Sequence, residues 1–206
     1  DIIGETPNMS TRTITIDRTN PNATLWTPVN TTNSSTLAQN LTANLTDNLG
    51  NANATLNVFW TNGTLFNSTM TTYAANITQQ TVGVVITFVE GIFKWFYKVF
   101  DFAGNSFSTG NNTIIIDTSS PSFTLVAYSP NTNGSIDPAS NITVNATITD
   151  NLAGTSIVKL QYFNGTVWTN STMYNISGNI TNGTYQTSFI TQNAEANYTF
   201  TIWVND

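Results

Sequence analysis

Apolar and polar residues alternate along most of the chain. In residues 142–148 every second residue is apolar, and the residues between are threonine or asparagine. Residues 41–45 repeat this alternation, and residues 93–99 and 198–204 follow it with large aromatic side chains. A period of two places successive side chains on opposite faces of a strand, and no stretch of eleven or more residues carries a helical stripe. The pattern predicts an all-β protein.

The chain contains two copies of a unit of about a hundred residues, the size of a β-sandwich domain. Residues 13–17, Thr-Ile-Thr-Ile-Asp, return as 113–117, Thr-Ile-Ile-Ile-Asp, and a proline follows each copy four residues later. The Asp-Asn-Leu turns at 47–49 and 150–152 correspond in the same way. We predict two tandem antiparallel sandwiches. The boundaries are 18–117 for the first domain, 118–206 for the second, and 1–17 for a last-strand segment of a preceding or neighbouring domain.

The phase of the repeat predicts a joint between units. Asp1, Asp101 and Asp206 occupy equivalent positions, so the second unit stops where the first still has sixteen residues and one strand to come. A spare copy of that strand supplies the predicted donor residues Thr11, Thr13, Ile14, Thr15, Ile16 and Asp17. The predicted acceptor strand carries Tyr198, Phe200, Ile202 and Val204. The donor strand either enters another copy of the chain, or it belongs to a longer covalent array in which the same unit recurs.

Charge and residue chemistry exclude several functions. Five lysines and arginines against eleven acids give a net charge of −6, which argues against a nucleic-acid partner. The chain has no cysteine and no histidine, so thiol nucleophiles, histidine bases and Cys/His zinc sites are excluded. Because the acids sit mostly at repeat-equivalent turns, we expect no enzyme and no cofactor. Charges interrupt the apolar stretch 81–100, so we expect no membrane span in this chain.

Asparagine is abundant, with 30 residues, and 20 of them begin the acceptor sequence for N-linked sugar. Strand alternation alone accounts for part of this large number of acceptor sequences, because an outward asparagine and a threonine two residues later share one face of a strand. We expect N-linked glycans on several sites, which would hydrate a surface that has little charge; the alternative is a patterned sheet without sugar. The candidate sites are Asn8, Asn22, Asn30, Asn33, Asn40, Asn44, Asn53, Asn62, Asn67, Asn76, Asn111, Asn133, Asn141, Asn145, Asn164, Asn170, Asn175, Asn179, Asn182 and Asn197.

Calcium is a second candidate ligand, since linkers between tandem surface domains gather hard oxygen ligands. Asp17, Asp101 and Asp117 are the residues we single out for it. The competing interpretation gives these aspartates only turn and capping hydrogen bonds.

A family resemblance rests on Tyr97-Lys-Val-Phe-Asp-Phe-Ala-Gly-Asn105, followed by residues 113–117 and Pro121. This order of strand, turn, last strand and linker resembles prokaryotic immunoglobulin-like surface repeats of the archaeal type. The resemblance implies two immunoglobulin-like sandwiches and an extracellular location at the cell surface. Such repeats serve as stalks, layer subunits, adhesins and filament subunits, so the resemblance does not select one role.

Three functions therefore remain. The first is a structural subunit of an extracellular glycosylated filament or surface layer, whose partners would be copies of itself joined head to tail by strand complementation. We prefer it because the spare strand of the repeat supplies the strand that the second unit lacks. The second is a cell-surface adhesin or carbohydrate-binding module, for which Trp26, Trp60 and Trp168 would form a stacking platform. The third is a passive stalk of a larger surface protein.

Overall fold

The computed structural model describes residues 12–131, 136–193 and 197–206. These residues form sixteen β-strands and no helix, which confirms the all-β prediction. No helix in these ranges is therefore long and apolar enough to cross a membrane. The strands of the first sandwich are β1 (Asn22–Thr27), β2 (Thr32–Ser34), β3 (Ala38–Thr46), β4 (Asn51–Trp60), β5 (Leu65–Thr72), β6 (Gln79–Thr87), β7 (Gly91–Asp101), β8 (Ser106–Ser108) and β9 (Asn112–Ile116).

The second sandwich repeats the order of the central strands of the first, with differences at the sheet edges. Its strands are β10 (Ser122–Ser129), β11 (Asn141–Thr149), β12 (Ile157–Phe163), β13 (Trp168–Thr172), β14 (Tyr174–Gly178), β15 (Asn182–Ile190) and β16 (Thr199–Asn205). One sheet has the order β1-β3-β6 in the first sandwich and β10-β11-β15-β14 in the second. The facing sheet has the order β2-β9-β7-β4-β5, with β8 also on β7, and its counterpart is β13-β12-β16.

Each sandwich has its own hydrophobic core, and strand alternation decides which residues enter it. Phe93, Trp95, Tyr97 and Val99 of β7 are all 0% exposed, while Lys94 and Lys98 between them are exposed. Strand β11 follows the same rule, because its alternate residues from Ile142 to Ile148 are buried. The predicted faces of both strands are therefore confirmed.

A polar anchor ties the two sheets of the first sandwich together. The Tyr97 hydroxyl donates a hydrogen bond of 2.8 Å to the backbone carbonyl of Leu41 in the facing sheet. Burial raises the pKa of Tyr97, since the charged phenolate would lose its hydration inside the core. Tyr97 therefore stays neutral and keeps its donor at physiological pH.

Candidate assembly site

The clearest difference between the two sandwiches lies at the edge of β16. Its equivalent β7 has β4 on one side and both β9 and β8 on the other. Among the described residues, β16 pairs with β12 alone. The other edge of β16 therefore presents unpaired backbone groups, a template for an added strand.

The open edge leaves the second core incompletely covered. Tyr198, Phe200, Ile202 and Val204 pack against that core but stay half-buried. Their four equivalents in β7 are fully buried. The two strands share one sequence pattern, so the difference in burial comes from their neighbours.

An apolar groove of about 130 Å³ runs between β10 and β16. Phe123 and Val126 line one side, and Phe200 and Ile202 line the other. The Tyr128 and Phe200 rings meet edge to face across the groove, with their centroids 5.8 Å apart. In the first sandwich, β9 and β8 together flank the corresponding edge of β7, and Ile114 and Ile116 of β9 are completely buried.

The predicted donor residues lie in the open before the first sandwich. Residues 12–17 form no strand, and Ile14 and Ile16 are 88% and 75% exposed. Thr11 lies outside the described residues. Ile14 and Ile16 correspond in sequence to the buried Ile114 and Ile116. The chain therefore carries both an exposed copy of the β9 sequence and an open edge of the kind that β9 covers.

Two clusters of three aspartates lie where each sandwich meets the segment before it. Asp17, Asp47 and Asp101 have carboxylate oxygens within 4.8 Å of one another. Asp117, Asp150 and Asp206 form the second cluster with the same spacing limit. The two clusters are built alike. Asp17 and Asp117 come from the segment before each sandwich, and Asp47 and Asp150 come from the loops after β3 and β11. Asp101 ends β7, and Asp206 directly follows β16.

The structure separates the three aspartates that the sequence analysis singled out as calcium ligands. Asp17 and Asp101 lie together, whereas Asp117 belongs to the second cluster. Sequence reasoning missed Asp206 as a candidate ligand, and it missed Asp47 and Asp150 because both begin Asp-Asn-Leu turns. Their repeat equivalence to each other was the available signal.

A separate hydrogen-bonded contact joins the end of the first sandwich to the second. The Glu90 carboxylate, in the β6–β7 turn, accepts hydrogen bonds from the Thr118 hydroxyl at 2.7 Å and from the Ser119 hydroxyl at 3.0 Å. The Asn151 amide also donates to Glu90. These donors, with Thr118 first, lower the pKa of Glu90, so its charged form persists to lower pH than that of an ordinary glutamate.

The predicted glycosylation sites lie mostly on the surface. Fourteen of the eighteen sequon asparagines that the structure describes are exposed, and none of the eighteen is buried. Asn8 and Asn133 lie outside the described residues. The four half-buried sites are Asn53, Asn67, Asn145 and Asn164. The middle residues of several sequons, among them Leu41, Leu45 and Ala146, are buried as the strand alternation requires.

Glycan occupancy should follow this exposure, because the transferase must reach the amide nitrogen. We expect glycopeptide mapping of the native protein to find sugar on sites such as Asn40, Asn44 and Asn141 before the half-buried ones, and intact mass to exceed 22.4 kDa. Thr46→Ala removes the Asn44 sequon while leaving the asparagine, and should remove sugar from that residue alone. An unmodified map would refute the glycan prediction.

The tryptophans predicted for a carbohydrate platform do not share one surface. Trp60 packs into the first core, with its ring 4.3 Å from that of Phe93. Trp26 and Trp168 are more than half exposed but belong to different sandwiches. The arrangement offers no three-ring stacking surface.

Comparisons with known proteins show likeness in structure alone. No family model matches the sequence, and no curated protein is significantly similar to it. A structure from a 1.5-MDa bacterial ice-binding adhesin, solved in work on host cell surface retention, is 16% identical with a TM-score of 0.36. The alignment covers 84% of this chain and 55% of that one, so the chain spans about half of its length.

The fibronectin(III)-like modules of Clostridium thermocellum CbhA are also similar. They are 11% identical with a TM-score of 0.35, and the alignment covers 88% of this chain and 84% of that chain. At such scores neither likeness supports a statement about function.

Proposed function

We propose that this chain is a non-catalytic structural segment of an extracellular, glycosylated filament or surface layer, whose units join head to tail by β-strand complementation. One observation carries the proposal. The core side chains of β16 remain half-buried beside an apolar groove, whereas their equivalents in β7, which β9 and β8 flank, are fully buried. The occupant we propose for this open edge is the segment from Thr13 to Asp17 of a second copy, which the β9–β7 register places beside the start of β16.

The sequence and exposure of this segment support the assignment. It matches the strand that closes the first sandwich, and Ile14 and Ile16 are largely exposed among the described residues. Burying each isoleucine would contribute about 1.5–3 kcal/mol, and backbone hydrogen bonds would pair the donor with the free edge where β16 begins. Apolar contacts and main-chain hydrogen bonds therefore favour the same joint.

The geometry of the joint favours an extended assembly. The donor segment precedes the first sandwich and the acceptor edge belongs to the second, so the two contact surfaces differ. Contacts between unlike surfaces that do not close into a ring generate a linear polymer. Few charges and many exposed sequons suit a surface hydrated by sugar.

Sedimentation of the purified chain over a range of concentrations tests this proposal. We expect the wild-type chain to form a concentration-dependent series of oligomers. Ile14→Asp with Ile16→Asp should leave it monomeric, because two carboxylates would have to be buried at the edge of the apolar core without partners. The first sandwich should remain folded in this variant, since both isoleucines are exposed in the single chain.

The matched control is Ile176→Asp with Ile190→Asp, an equal charge change at two other exposed isoleucines. This control should polymerise like the wild type. A wild-type chain that stays monomeric at all concentrations, or equal loss of assembly in both variants, would overturn strand complementation between copies. Denaturing electrophoresis of native material distinguishes the rival covalent array, which would give a far larger chain.

A further inference from the structure

The two aspartate clusters bring together charges that should repel one another. Each cluster holds three carboxylates, and the described hydrogen bonds that they accept come from neutral donors. The Thr19 and Leu49 backbone N–H groups donate to the first cluster at 2.9 Å, and the Ser119 backbone N–H donates to the second at 3.0 Å. Neutral donors offset only part of the repulsion among three negative charges. A bound divalent cation would attract all three carboxylates and offset most of it.

Oxygen atoms without donors point to the same ligand. Asp47 uses Oδ2 to accept from the Gly50 backbone N–H, and Asp150 uses Oδ2 to accept from the Gly154 backbone N–H. In both residues the second oxygen, Oδ1, is buried and has no hydrogen-bond donor among the described residues. The same oxygen is thus left unsatisfied in two independent copies of the site.

A buried asparagine adds a neutral oxygen beside the first cluster. Asn51 is 0% exposed, and its Oδ1 has no donor within the described part of the chain. Asn51 lies directly opposite Asp101 in the β4–β7 register, so the two side chains share one face of the sheet. A buried amide oxygen without a donor is costly unless a ligand takes it up.

We propose that each cluster binds one calcium ion, and that the ion fixes each sandwich to the segment that precedes it. Calcium takes six to eight oxygen ligands at about 2.4 Å, so two ligands of one ion lie within about 4.8 Å of each other. The carboxylate oxygens of both clusters satisfy this limit. Magnesium would keep most of its water and needs a stricter octahedron, so it should bind more weakly.

The position of the sites gives the ion a mechanical role. Asp17 and Asp117 each belong to the segment that enters a sandwich, while their partners belong to the sandwich itself. Binding therefore orders the linker against the loops that follow. This inference does not depend on the proposed strand exchange, because all six carboxylates belong to one chain.

Calcium titration of the chelator-treated chain by isothermal calorimetry tests the inference. We expect two sites per chain, with dissociation constants on the order of 10⁻⁴–10⁻³ M, as in extracellular modules. Asp47→Asn and Asp150→Asn should each reduce the count to one, and the double variant should bind none. Asp137→Asn, at an exposed acid outside both clusters, is the control and should keep two sites.

Thermal unfolding separates a lost ligand from a damaged turn. In EDTA, Asp47→Asn should melt at or above the wild-type temperature, because asparagine keeps an acceptor for Gly50 and relieves repulsion. In 5–10 mM calcium, the melting temperature of the first sandwich should rise by on the order of 5 °C in the wild type and should rise little in the variant. Absence of calcium binding at these concentrations, or a site count unchanged in Asp47→Asn and Asp150→Asn, would overturn the inference.

Discussion

Trp95→Ala should destabilise the first sandwich by about 3–5 kcal/mol, the usual cost of deleting a large buried aromatic side chain. Trp95 is 0% exposed at the centre of β7, with its ring 6.3 Å from that of Tyr97. The surrounding strands are hydrogen-bonded on both sides of β7, so they cannot collapse to fill the cavity. Urea unfolding, followed by circular dichroism, measures the loss of unfolding free energy in the transition of the first sandwich.

Phe200→Ala, at the equivalent position of the second sandwich, should cost less in the isolated chain, about 1.5–2.5 kcal/mol. Phe200 is half-buried, because no strand lies on the outer edge of β16 in the described residues. Thr143→Ala and Thr147→Ala in β11 serve as controls and should cost about 0.5 kcal/mol or less each. Equal losses for Trp95→Ala and Phe200→Ala would contradict our account of the open edge.

The sequence predicted the strands and their faces well because both depend on short-range periodicity. The alternation of residues 93–99 and 142–148 determines which side chains can face a core, whatever the neighbouring strands do. The hundred-residue repeat supplies a second copy of most strands, against which each assignment of buried and exposed faces can be checked. Burial of Phe200 relative to Trp95 could not be predicted from this pattern, since it depends on which strand lies beside β16.

The aspartate clusters depend on contacts that sequence spacing does not encode. Asp17, Asp47 and Asp101 are separated by 30 and 54 residues, and they meet only when the preceding segment, the loop after β3 and the end of β7 come together. Each aspartate alone is an ordinary turn residue. Repeat equivalence showed that Asp17 resembles Asp117, but it could not show that the two belong to different clusters.

The proposed joint makes a specific prediction about strand register. In the first sandwich, Thr113 of β9 lies opposite Lys94 of β7. Transferring this register through the repeat places Thr13 of one copy opposite Thr199 of another. Both threonines are exposed and lie on the outer face, so cysteine at these positions would not disturb a core. Directly opposite residues have Cβ atoms about 4.5–5.5 Å apart, close enough for a disulfide after small adjustment.

The chain has no cysteine, so engineered cysteines would be the only ones to react. One preparation should carry Thr13→Cys and a second should carry Thr199→Cys, and the two are mixed under mild oxidation. The control partner is Thr172→Cys, which places an exposed cysteine on β13, at the opposite edge of the same sheet. Adding Ile14→Asp and Ile16→Asp to the Thr13→Cys chain should remove the crosslink, because the donor would no longer pair with the open edge.

The yield of disulfide-linked heterodimer in this mixing experiment, read by non-reducing electrophoresis, tests the central claim most directly. Strand complementation predicts a strong heterodimer band for Thr13→Cys with Thr199→Cys, and at most a faint one with Thr172→Cys. Equal yields with the two partners, or no heterodimer at concentrations where the wild type assembles, would contradict the claim.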